Sequence, residues 1–159
     1  MSMAKQYDIG RYIKAESALA AHILSATTAD GDAISGVTID RLALPRHFQS
    51  CRSVVTGRFV GSTTKTATLG TLNFQHSSDG TSWDNFSTDT VPSNKTLGST
   101  GATGAQDTQG VIEQRVNLRA ARRYVRQQVT PDLSCTSSGE MLTVAGVLVF
   151  GGADELPSS

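Results

Sequence analysis

The side chains best equipped for chemistry are three histidines, two cysteines and one arginine cluster. His22, His47 and His76 sit in three separate segments, and none belongs to a paired-ligand motif of the kind metal chemistry uses. Cys51 and Cys135 are far apart and form no Cys-x-x-Cys pair, which argues against a zinc or redox motif. Cys51 opens an apolar run and reads as a small buried group. Cys135 lies in the polar stretch Ser134-Cys135-Thr136-Ser137-Ser138-Gly139. Both are left either as free thiols or as disulfide partners outside a reducing cytosol. Gly98-Ser99-Thr100-Gly101-Ala102-Thr103-Gly104 resembles a phosphate cradle only superficially. It lacks the Gly-Lys-Ser/Thr ending and reads as a flexible turn. Asp30-Gly31-Asp32 offers two carboxylates, short of the roughly six to eight oxygens that calcium takes. The densest charge feature is Arg119, Arg122, Arg123 and Arg126. Three readings of it stay open: a solvated strand end, a protein interface where planar guanidinium forks pair carboxylates, or a nucleic-acid surface. The last ranks third because no exposed aromatics are interleaved. We expect no catalytic residues, no metal, no cofactor and no enzymatic activity.

These residues need elements to position them. The most telling stretch is Phe74-Gln75-His76-Ser77-Ser78-Asp79-Gly80-Thr81-Ser82-Trp83-Asp84-Asn85-Phe86. An apolar β-former run enters a polar Asp-Gly turn and leaves through Trp83 and Phe86, which predicts a hairpin. Short alternating runs at 37–42, 54–60, 67–76, 111–118, 124–130 and 141–150 predict further strands. Pro131 is expected to stop the strand before it, because it cannot donate to a ladder. The strand over 141–150 is the most apolar and belongs in the middle of a sheet. The fold class is all-β, an antiparallel β-sandwich, jelly-roll-like or Ig-like.

Two segments break this rhythm. Residues 1–33 form a leader with partly helical spacing of Tyr12, Ile13, Ala15, Ala18, Leu19, Ile23 and Leu24. Its alanines favour a helix over an extended arm. Residues 34–157 form the sandwich domain. Within it, residues 87–110 hold almost nothing apolar and read as one long polar loop, functional or ordered by neighbours. Asn94, Lys95 and Gln106 of that loop join the four arginines as interface candidates. The triplets at Asn85 and Asn94 match a glycosylation pattern but follow no secretory signal.

Composition agrees. Charged residues make up 18% and aromatics 6%, while the net charge is zero. Few charges with much Ser, Thr and Gly suit strands and turns. Zero net charge argues against a nucleic-acid binder, whose affinity comes from neutralising phosphates. The sequence has neither a signal-peptide pattern at its start nor a run of the ~18 apolar residues that a membrane span needs. A cytosolic origin is expected.

Two stretches resemble a known group. The first is residues 72–83, with Ser78-Asp79-Gly80-Thr81-Ser82-Trp83. The second is Ala121-Arg122-Arg123-Tyr124-Val125-Arg126-Gln127-Gln128-Val129-Thr130, together with the ending 147–157. Together they resemble small structural proteins of tailed bacteriophages, including jelly-roll-like capsid cement or decoration proteins. The resemblance implies a virion location on the capsid surface after synthesis in the bacterial cytoplasm. It also implies the major capsid protein and further copies of the chain, as a homotrimer, for partners, with no membrane and no direct nucleic-acid contact. The same stretches resemble discoidin-type modules, which implies carbohydrate binding as the alternative. A tail or head–tail connector protein is the third reading.

Overall fold

A computed structural model describes residues 13–25, 31–61, 64–86, 93–101, 106–134 and 139–153. The strands are β1 (Lys14–Ser25), β2 (Ile34–Ser35), β3 (Ile39–Asp40), β4 (Phe48–Gly61), β5 (Thr66–Ser77), β6 (Asp84–Asn85), β7 (Ser93–Ser99), β8 (Gln106–Asn117), β9 (Tyr124–Leu133) and β10 (Met141–Ala153). One sheet has the order β1-β10-β4-β8. In the other, β2 and β3 pair with one edge of β9, β9 pairs with β5, and β6 and β7 pair with the far edge of β5. Every pairing is antiparallel.

This order has a simple origin. If β2 with β3, and β6 with β7, each count as one position, the sheets read 1-8-3-6 and 2-7-4-5. Positions 4–5, 3–6, 2–7 and 1–8 are then all hydrogen-bonded neighbours. The chain is one long double ribbon, tipped by the β5–β6 hairpin and wrapped into two layers, which is the jelly-roll arrangement. The antiparallel sandwich expected from the sequence is therefore the observed fold.

Alternation drives the layers. In β4 the buried positions are Phe48, Cys51, Ser53, Val55, Gly57, Phe59 and Gly61, with the intervening side chains turned outward. Two apolar clusters result. One holds Phe59, Leu69, Leu72, Leu97, Leu142 and Val144, and the other holds Phe48, Phe74, Leu118, Val125, Leu148 and Phe150. Buried Ser53, Gln114 and Gln127 lie among them. Gln127 Nε2 spans the sheets, donating to Ser53 Oγ (2.6 Å) and to the Val54 carbonyl (3.2 Å).

Both open sides are laced. Val37 N donates to the Ala18 carbonyl (2.7 Å) and Gly36 N to that of Gln127 (2.8 Å), tying the β2–β3 link to both layers. On the other side β7 runs so close to β8 that a side chain at Gly110 would lie 2.9 Å from the Leu97 carbonyl carbon.

Five expectations are corrected. Residues 14–25 are a strand, not a helix: β1 pairs with β10 from Lys14↔Phe150 to Ser25↔Met141 and buries Ala18, Leu19 and Leu24. The span 87–110 is not one loop, because residues 93–99 and 106–110 lie in strands. Gly98 is in β7 rather than in a flexible turn. Pro131 does not end its strand: β9 runs on to Leu133, with a register shift between Leu69 and Thr71 opposite it. Its carbonyl accepts from Gly31 N (2.9 Å). The run 37–42 keeps only β3 as strand. Residues 1–12, 87–92, 102–105 and 154–159, Cys135 and Asp30 lie outside the described residues.

Candidate functional site

The two stretches that carried the resemblance meet at one corner. Asp79 builds the turn: its Oδ1 accepts from Thr81 N and Ser82 N (both 2.8 Å) and from Ser77 Oγ (2.8 Å). The Ser82 and Thr81 amides, with Ser77 behind them, hold its carboxyl well below the usual carboxylate range. Gly80, at φ +77°, supplies the left-handed residue the turn requires. The turn delivers Trp83 and Asp84 to β9. The Arg126 guanidinium lies 4.2 Å from the Trp83 ring centre, and its Nε donates to Gln75 Oε1 (2.7 Å). Arg122 pairs with Asp84. Arg123 forks onto Asp40 (Nε 3.0 Å, Nη2 2.7 Å) and stacks on Tyr124 at 4.8 Å. That fork holds the Asp40 carboxyl below its ordinary value. Arg119 Nε donates to Gln49 Oε1 (3.0 Å).

All four candidate arginines thus have partners inside the chain. Exposed contacts of this kind add little stability, so their main effect is to fix geometry. A strip of amides continues the corner across the outer face of this sheet. Gln75 Nε2 donates to Asn85 Oδ1 (3.0 Å) and Gln128 Oε1 (3.2 Å), and Gln128 Nε2 donates to Ser35 Oγ (3.3 Å).

The other candidates are placed apart. Asn94, at φ 49°, and Lys95 are exposed on β7. Gln106 opens β8, and its Oε1 accepts from Gly101 N (2.6 Å). Cys51 is a free thiol buried in β4, where burial pushes its pKa up to about 12, so it carries no thiolate at neutral pH. His76 Nδ1 accepts from Arg122 N (3.3 Å), and its ring centre lies 4.6 Å from that of Phe86. Burial, then the Arg122 charge, lowers its pKa. Among the described residues no group of three or more His, Cys, Asp or Glu side chains is placed to hold a metal. Among the described residues no helix is long and apolar enough to cross a membrane.

Sequence reading missed Arg41. It is buried and donates to the carbonyls of Ala121 (2.5 Å), Arg122 (3.2 Å) and Phe48 (3.2 Å), pinning the arginine corner to the start of β4. The signal was its parity: it alternates in phase with buried Ile39.

The four-stranded sheet presents a different outer face. Val54 pairs with Val147, and Thr56 with both Ala145 and Val111, so these side chains form a patch. Val111 is 62% exposed, Val147 40%, Met141 47% and Ile23 66%. Two ion pairs frame it, Arg52–Glu113 (2.7 Å) and Arg58–Asp107 (2.6 Å).

No protein-family model matches the sequence, and no curated protein matches it. Several solved structures are distantly similar, among them the following two. The PBSX exported protein XepA aligns at 15% identity and TM-score 0.44, over 92% of this chain and 39% of that one. The CBM22-1–GH10 modules of Clostridium thermocellum endo-1,4-beta-D-xylanase 10B, solved with xylohexaose, align at 8% identity and TM-score 0.33. That match spans 92% of this chain and 27% of the xylanase chain.

Proposed function

We propose that this chain is a virion structural protein, a capsid decoration or cement protein that stabilises a phage head by bridging shell subunits. It acts as a homotrimer, works through surface contacts without bond-making chemistry, and lays its four-stranded sheet against its companions. The observation that carries this reading is the apolar patch of exposed Val111, Val147 and Met141 with half-buried Val54, framed by Arg52–Glu113 and Arg58–Asp107. Apolar centres with polar rims mark protein contact surfaces. The jelly-roll strand order and the phage-like stretches around Trp83 and Arg126 support it further. Many copies on a fixed lattice raise effective concentration, so each contact can be modest. The carbohydrate-binding reading asks for an open aromatic platform, whereas Trp83 is half-buried and carries the Arg126 guanidinium over its ring.

Cryo-electron microscopy of virions from the phage that encodes the chain is the test. The expected result is density for this sandwich on the head, patch inward, and a Val111→Ser/Val147→Ser double variant that folds but no longer loads onto heads. Absence from virions, or a location confined to the tail, overturns the reading.

A further inference from the structure

Where β10 ends and β4 begins, the outer face of the four-stranded sheet sinks into a depression of ≈ 710 Å³. Arg52, Arg115 and Arg119 line it, together with the apolar side chains of Ile13 and Val149. Arg52 and Arg115 are direct cross-strand partners. Like charges placed so destabilise a sheet unless an anion answers them. Glu113 answers only Arg52. Arg119 is held by the neutral amide of Gln49. Arg115 forms no ion pair among the described residues. Among the described residues, two positive charges are therefore left without an acidic partner on a concave surface, beside an apolar wall.

We propose that this depression takes an acidic peptide segment of a partner subunit, with carboxylates bound by Arg115 and Arg119 and apolar side chains set against Ile13 and Val149. The proposal rests on the four-stranded sheet being the docking face and names the chemistry of what docks there. Guanidinium forks match carboxylates in geometry and charge. A nucleic acid fits less well: the chain has no net positive charge to draw a polyanion, and the lining aromatic, Phe150, is fully buried and offers no stacking platform.

The test needs no virion. The purified chain is titrated with a capped Asp-Leu-Asp-Leu-Asp peptide, its Asn-for-Asp analogue, inorganic phosphate and a thymidine oligonucleotide, with backbone amide shifts read by NMR. The acidic peptide should shift amides in 49–52 and 115–119 and weaken as salt is added. An Arg115→Gln/Arg119→Gln variant should bind it about tenfold or more weakly, with Arg115→Lys intermediate. The Val111→Ser/Val147→Ser variant should keep full peptide affinity, so a failure of head docking and a failure of this site read out separately. Equal binding of the Asn analogue, undiminished affinity in the double glutamine variant, or displacement of the peptide by phosphate or the oligonucleotide at equal concentration would each overturn the assignment.

Discussion

His76 accepts the Arg122 amide through Nδ1 and packs against Phe86, so an added proton breaks a hydrogen bond in a partly desolvated place beside a guanidinium. Its folded-state pKa lies below the unfolded value of about 6.5, so the stability it lends is complete above that pH and is lost as pH falls through the folded value. Urea midpoints for the wild type should fall between pH 7.5 and 5.0, while His76→Asn, which has no ring to charge, should stay nearly level over the same interval. A parallel slope in both would place the titration elsewhere. Asp79 follows the same sign in a more acidic window: its turn is fully held above about pH 4 and loosens as acid protonates the carboxyl. Charge clustering made the arginines visible in the sequence. Their partners Asp40, Asp84 and Trp83 were not, because each sits on another strand or turn and meets them only through tertiary pairing.

Strand by strand, legibility followed the number of neighbours. The hairpin at 67–86 and the strands over 54–60, 111–118 and 141–150 were readable because alternating burial writes a period of two. β1 was not, because its local alanine content favours helix while the partner that makes it a strand lies at the far end of the chain, Lys14 against Phe150. β7 was hidden because its described side chains are mostly exposed, with Leu97 its one large buried apolar group. The buried polar residues were legible in principle: Ser53, Gln114 and Gln127 each stand in phase with apolar residues two positions away on either side. The amide that reaches between the layers sets a steric limit on β10. A methyl group at Gly146 would collide with the Gln127 side-chain oxygen and lie 3.2 Å from Leu19 Cβ. Gly146→Ala should therefore destabilise the fold by about 1–3 kcal/mol, read as a lower denaturant midpoint with an unchanged slope.

For the molecule as a whole, wrapping a double ribbon into two layers means that nearly every strand pairs with one distant in sequence. Such topologies fold slowly, on the order of milliseconds to seconds, because loop closure precedes the contacts that reward it. The layers share one interior, so they should melt together. The single tryptophan, Trp83, reports on the β5–β6 turn, and far-ultraviolet circular dichroism reports on all strands. The two signals should give one coincident transition, and separated midpoints would show that the sheets unfold independently.

The outermost pair of the ribbon, Lys14 against Phe150, brings the start of β1 and the end of β10 together at one corner of the molecule. A variant trimmed to residues 13–153 and joined there by a short peptide would close into a ring. A passenger domain spliced directly onto Ile13 would leave beside Arg115 and Arg119, which line the same depression as Ile13.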